Sequence, residues 1–445
     1  MAATKKQIES VTIEKLVYGG DGLAHHDGRT VFVPFVLPEE RIAATIVEDK
    51  KKFVRAQLEK VLDASPHRVA PRCPHFGVCG GCNYQQISYE QQLRFKSEIL
   101  RETLRRIGGM EYPGNITLHS TQPWGYRNRA QWKIRAAGDA TSLAEAGAKG
   151  TANLGIGYFH ANSTTLCAVE TCPILSPLLL KTLLPLRDAL AMGALPPQLR
   201  EIEAFANDDS GASNANLLLT VTFAGFPSRA AELAEKFRRI VPEIASLLFH
   251  DPGRERMELF GPGFIEIETR GVKYRVGHFS FFQVNSFLTG EMVQEVAEND
   301  AGGRLALDLF AGVGLFSVPL AKRFEHVVAV EANPAAARDL EANVRGHGTI
   351  EVRTSDVERF LDRCKDKPEL IVLDPPRGGM SPGAVARLGR LAPERITYVS
   401  CEPPTLARDL KGLRHAGYAI SEVLLFDLFP QTFHMEAIVR LERSK

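Results

Sequence analysis

LALDLFAGVGLFSVPLA, residues 305–321, decides how the C-terminal third of the chain is read. An apolar run closes on Asp308, Gly312 and Gly314 provide a turn, and a second apolar stretch follows, as expected where a buried parallel strand hands over to a helix. The motif does not stand alone: from about residue 290, RLALDLF, HVVAVEA, IEVRTSD, LIVLDPP and ITYVSCE alternate with helical stretches. That alternation predicts an α/β fold with a doubly wound, Rossmann-like sheet, whose ligands lie at the carboxyl ends of the strands. The third glycine of a G-x-G-x-x-G fingerprint is missing, because position 317 is Ser317.

Acidic residues mark the successive strand ends. Glu331 follows Asp308 by 23 positions, where a carboxylate can take both ribose hydroxyls, and Asp356 closes the third strand, where it could accept from an adenine edge. Three such acids resemble the S-adenosylmethionine-dependent methyltransferase fold more than a nicotinamide enzyme. The competing structural role for any of them is a helix cap.

The fourth strand ends in LDPPRGG and the fifth in YVSCEPPTLARDL, which brings Cys401 to the same mouth. Carbon 5 of a pyrimidine is too weak a nucleophile to take a methyl group unaided. A thiolate adding to carbon 6 generates an enolate with electron density at carbon 5, dividing one hard step into two easier ones. A base must then remove the carbon-5 proton so that the thiol can leave. Glu436, opening the last strand, is the candidate, with His434 as the alternative. Burial as an inert core thiol is the competing role for Cys401.

Together DLFAGVGLFSVPLA, LDPPRGG, VSCEPPTLARDL, FPQTFHME and FFQVN (281–285) resemble the RNA uracil-5-methyltransferases, and residues 7–61 resemble their TRAM barrel. The resemblance implies that Cys401 is the nucleophile and Glu436 the base. It places Gln283, Phe310, Glu331 and Asp374 around S-adenosylmethionine, with Asp356 added from its strand end. Arg127 and Arg129 match a basic motif that approaches the target nucleotide. Two positions depart from the pattern: Glu402 stands where the family usually has Asn after the nucleophile, and Leu315 replaces an Asn of the ribosomal-RNA members. Pro376 stands where cytosine-5 RNA enzymes carry a cysteine, and Asp374 where exocyclic-amine methyltransferases favour Asn.

Seven cysteines occur in 445 residues, and three lie in CPHFGVCGGC. Cys73, Cys79 and Cys82 can wrap one centre, with Cys167 or Cys172 as fourth ligand, and the spacing fits either zinc or an iron–sulfur cubane. The family resemblance implies a [4Fe–4S] cluster completed by Cys172.

The length divides into two to four domains of ~100–200 residues. Residues 1–64 make a first domain in which 7–61 alternate apolar and polar between GGDG and HHDG turns, which predicts five short strands in an OB-like barrel. Residues 65–280 form a mixed α+β central domain, with helices over 88–109, 176–192 and 228–248, and residues 281–445 form the methyltransferase domain. AAGDATSLAEAGAKGTA (136–152) is expected to be a mobile hairpin loop. Although the net charge is only +1, residues 67–135 carry eleven Lys/Arg against four acids, interleaved with aromatics. That pattern suits RNA, with binding that weakens as salt rises. Phe281 and Phe282 are candidates to stack on a flipped-out uracil. No apolar leader follows the N-terminus, and the run ILSPLLLKTLLPL is cut by Pro177 and Lys181. The reading is a cytoplasmic, monomeric enzyme of RNA, neither DNA nor membranes. Its expected product is 5-methyluridine in 23S ribosomal RNA. Transfer RNA as substrate, or a catalytically silent iron–sulfur RNA-binding factor, are the alternatives.

Overall fold

A computed structural model describes residues 6–136, 154–208 and 216–444. The stretch 137–153, which holds nearly all of the expected hairpin loop, lies outside the described residues.

The C-terminal sheet has eight strands in the order Ile350–Thr354, Phe324–Glu331, Gly303–Leu309, Leu370–Leu373, Arg395–Ser400, Glu436–Arg443, Tyr418–Phe426 and Ile116–His119. The first five are mutually parallel, and Glu436–Arg443 inserts antiparallel beside Arg395–Ser400. Central strands such as Leu370–Leu373 are buried along their whole length, which explains their continuous apolar sequences. Strand order reverses between Gly303–Leu309 and Leu370–Leu373, so the crevice opens at the carboxyl ends of those two strands.

Two pieces from earlier in the chain join this sheet. Ile116–His119 pairs in parallel with Tyr418–Phe426. The helix Tyr89–Arg106 packs Ile99, Leu100 and Leu104 into the same core as Leu410 and Leu425. The buried face of that helix does not follow polarity throughout: Ile107 is 44% exposed, while Gln92 and Lys96 are buried.

Strands Gln7–Thr12, Lys15–Leu16, Asp21–His26, Arg29–Pro34, Arg41–Asp49 and Phe53–Asp63 make the N-terminal sheet. There are six rather than the expected five, because VTIEKLVY breaks at Ile13–Glu14, whose amides bond to Glu40 and Leu23 instead of continuing one ladder. A seven-stranded central sheet runs from Leu166–Ala168 to Arg256–Phe260 and is covered by helices Pro177–Ala191 and Ala230–Ile240. The helix expected over 228–248 stops at Ile240, since Pro242 follows and biases the residue before it away from helix; Ile244–Asp251 is a strand. Among the described residues no helix is long and apolar enough to cross a membrane.

Candidate active site

The ladder between the fifth strand and the last one sets the site. Ser400 pairs with Ala437, so the next residues outward, Cys401 and Glu436, face each other across its open end. Glu436 is 4% exposed, and Cys401 is half-buried at the foot of the helix Pro403–His415. Burial pushes the Cys401 thiol up to about 12, and the charges of Glu436, Asp374 and Glu402 add to the rise while Arg377 opposes it. Glu436 is held well above the usual carboxylate range, first by burial and then by Asp374.

Deeper in the crevice the acids crowd one another. Burial followed by the charge of Asp308 lifts Asp374 to about 7. Asp308 also rises to about 7 through burial, although it accepts from Ser317 Oγ at 2.5 Å. Its Oδ1 is buried with no protein partner among the described residues. Acids so arranged repel each other when ionised, and a cationic ligand would relieve that repulsion. S-adenosylmethionine is such a cation, and the orphaned Oδ1 marks where a donor is missing.

The turn after Asp308 completes the crevice. Phe310 adopts a left-handed backbone (φ 65°), an uncommon conformation for a bulky residue, and Gly312 (φ 56°) leaves open space where a Cβ would stand. Glu331 takes the Gly312 amide at 2.8 Å and the Asn333 amide at 2.6 Å, so its carboxylate is fixed at the mouth. Gln283 is 4% exposed on a segment tied down by the Asn128 amide, which donates to Val284 O at 3.0 Å. Asp356 is exposed and acts as a helix cap, its Oδ1 accepting from the Glu358 and Arg359 amides. The side chain thus takes the helix-cap role that competes with the expected adenine-edge contact.

The loop before Glu436 is clamped from an unexpected side. Asn83 and Tyr84 amides donate to Gln431 O at 3.1 and 3.0 Å, Gln92 bonds both the Gln431 amide and side chain, and Tyr126 Oη donates to Pro430 O. Lys96 Nζ bonds Asp427 at 2.6 Å and Phe429 O at 3.1 Å, with both charged side chains fully buried. His434 lies between Phe429 and Phe433, and burial followed by the charges of Arg377, Lys96 and Arg127 drops it to about 4, leaving it neutral.

Phe282 is not available for stacking: it is 3% exposed and packs on Phe205 and Tyr274, whereas Phe281 is 60% exposed. Arg129 is engaged internally, paired with Glu203 and donating to Ser280 O at 2.7 Å. Arg127 donates to Arg129 O. Sequence reading missed Tyr18, Arg377 and the Lys96–Asp427 pair. Only Arg377 carried a local signal, as the cation directly after the paired prolines.

Cys73, Cys79, Cys82 and Cys172 gather between the barrel and the central sheet. Burial first raises both Cys172 and Cys79; the charges of the other three add to the rise at Cys172, and those of Cys167, Cys82 and Cys73 to the rise at Cys79. Burial is the larger cause, lifting Cys79 and Cys172 to about 12 and Cys82 to about 11. Cys167, at 6% exposure, lies near enough to sense Cys73. Among the described residues no three His, Cys, Asp or Glu side chains close around a single ion. An all-sulfur donor set of this kind suits soft metals.

A doubly wound sheet with an acidic crevice at its strand ends, and a cysteine and a glutamate at its lip, fits a methyltransferase of the S-adenosylmethionine-dependent class. Comparison with known proteins narrows this. Residues 262–444 match the family described as tRNA (Uracil-5-)-methyltransferase, and residues 3–58 match the TRAM domain. The chain is 34% identical to a 23S rRNA (uracil(1939)-C(5))-methyltransferase RlmD of Klebsiella pneumoniae (strain 342), over 99% of this chain and 97% of that one. It is 32% identical to an RNA methyltransferase of Aquifex aeolicus (strain VF5) over 97% and 98%. A Pyrococcus abyssi tRNA (uracil-54, C5)-methyltransferase, solved with S-adenosyl-L-homocysteine, superposes with a TM-score of 0.73 at 26% identity over 97% of this chain and 99% of that chain. The chain belongs to the RNA uracil-C5-methyltransferase family.

Proposed function

We propose that the protein methylates carbon 5 of a uridine in 23S ribosomal RNA through a covalent adduct on Cys401. The observation carrying this reading is the placement of Cys401 and Glu436 across the end of one ladder, at the mouth of an acidic crevice. The Cys401 thiolate adds to carbon 6 of the uracil, and the ring electrons move to carbon 5, which accepts the methyl group. The Glu436 carboxylate takes the carbon-5 proton, and the carbon–sulfur bond breaks to restore the aromatic ring and the thiolate. S-adenosylmethionine, when bound, supplies an electrophilic methyl group. Gln283, Phe310, Glu331, Asp356 and Asp374 are the residues that would hold it. A positive charge near Asp374 and Glu436 makes both carboxylates easier to ionise, which the base requires. Arg377 opposes the rise of the thiol from the open side.

Cys73, Cys79, Cys82 and Cys172 would hold a [4Fe–4S] cluster. Methyl transfer moves no net electrons, so the cluster's role is to fasten the loop whose next residues, Asn83 and Tyr84, grip Gln431. A transfer-RNA substrate is the second reading, favoured by the full-length likeness to the Pyrococcus abyssi enzyme. Incubation with labelled methyl donor and with ribosomal or transfer RNA from cells lacking the protein, followed by mapping of 5-methyluridine, separates the two. Label in neither RNA would overturn the catalytic reading.

A further inference from the structure

The N-terminal barrel reaches the catalytic lip through one side chain. After Lys15–Leu16 the chain turns tightly, with the Val17 amide on Asp21 O and left-handed glycines at 19 and 20. The turn pushes Tyr18 outward, its ring edge-on to Phe433 at 5.4 Å. Tyr18 Oη donates to Glu402 Oε2 at 3.0 Å and lies 3.5 Å from the Cys401 carbonyl oxygen. Glu402 is the residue that departs from the family pattern, immediately after the nucleophile. Its backbone is fixed as well: its amide bonds Ser400 Oγ, and its carbonyl accepts from Thr405 Oγ1 and the Leu406 amide. With the backbone held, the carboxylate is the part left to be steered, and Tyr18 steers it.

We propose that Tyr18 is a positioning residue, which holds the Glu402 carboxylate beside Cys401 and so tunes the nucleophile from the barrel. The inference rests on Cys401 being the nucleophile. The groups that bear on the thiol are Glu436 on the last strand, Asp374 and Arg377 after the fourth strand, Glu402 at the foot of the following helix, and Tyr18 on the barrel. Of these, Glu402 is the one whose orientation the barrel sets. Without the hydroxyl the carboxylate can turn to water, where its charge is screened.

The test reads the thiol directly and needs neither RNA nor methyl donor, so its outcome is independent of whether methylation is observed. Iodoacetamide alkylation of Cys401 in the full-length, cluster-loaded protein is followed at pH 8 by peptide-resolved mass spectrometry. Glu402→Gln is expected to speed alkylation by several-fold and at most about tenfold, since one unit of pKa raises the thiolate fraction about tenfold while the weaker base attacks more slowly. Tyr18→Phe, which keeps the ring on Phe433, is expected to speed it by about threefold, and in the Glu402→Gln background to change nothing. No effect of Tyr18→Phe in the unaltered protein would overturn the proposal. So would an equal threefold gain in both backgrounds, which would trace to general loosening or to the Cys401 carbonyl contact.

Discussion

In the proposed mechanism Cys401 and Glu436 divide one reaction between them, and their substitutions should fail differently. Cys401→Ser should abolish both 5-methyluridine formation and the gel-shifted adduct with 5-fluorouridine-containing RNA. Glu436→Gln should still form the adduct on ordinary RNA but release it slowly, lowering turnover by about 10²–10⁴-fold, the usual range for a lost general base. Adduct that fails to accumulate in Glu436→Gln would move the base elsewhere. Asp308 makes a second prediction. Its folded pKa of about 7 lies above the unfolded value near 3.8. Its contribution to stability is therefore complete below about pH 4 and is lost as pH rises through 7. The melting temperature of the ligand-free protein should fall between pH 5 and 8, and Asp308→Asn should flatten that slope. Adding S-adenosylmethionine should also flatten it, if the cation sits where Asp308 and Asp374 repel. The juxtaposition of Cys401 and Glu436 was legible in sequence because each lies in a short motif at a strand end. Tyr18 was not, since it meets Glu402 from 384 residues away and nothing local announces the contact.

Among the elements, the helix Tyr89–Arg106 holds the base loop in register. Its span was readable to within a few residues, 88–109 expected against Tyr89–Arg106 observed, but its buried face was not. Lys96 and Gln92 look like solvent residues on a helical wheel, and they are buried because Asp427 and Gln431 offer them partners far along the chain. A buried ion pair that loses one member leaves an uncompensated charge. Lys96→Met should therefore destabilise the protein by about 3–5 kcal/mol in urea unfolding, while Lys96→Met with Asp427→Leu should recover most of that loss. Recovery by the double change would separate the desolvation cost of Asp427 from any packing defect caused by the methionine. The parallel strands themselves were equally plain in sequence, since their apolar runs have no polar face. The insertion of Ile116–His119 was not, because ITLH is too short to be distinguished from a loop strand.

For the whole molecule the question is how much of the basic middle segment meets RNA. Six of its eleven cations are committed to carboxylates in the fold: Arg68 to Glu40, Arg94 to Glu98, Lys96 to Asp427, Arg106 to Glu102, Arg129 to Glu203 and Lys133 to Glu201. Arg72, Arg101, Arg105, Arg127 and Arg135 have no carboxylate partner among the described residues. Sequence counts cannot make this division, because Glu40, Glu201, Glu203 and Asp427 all lie outside the segment. Each phosphate neutralised on a single strand contributes about −0.7 to the slope of log affinity against log salt. Five cations without a carboxylate partner give about −3.5, whereas all eleven would give about −7.7. Filter binding of ribosomal RNA fragments across 50–300 mM salt should show a slope that becomes shallower by about 0.7 for Arg105→Ala. Lys133→Ala, which removes a cation already neutralised by Glu201, should leave the slope unchanged. Equal loss from both would mean that RNA breaks the internal pairs on binding, and that the count of cations without a carboxylate partner does not set the affinity.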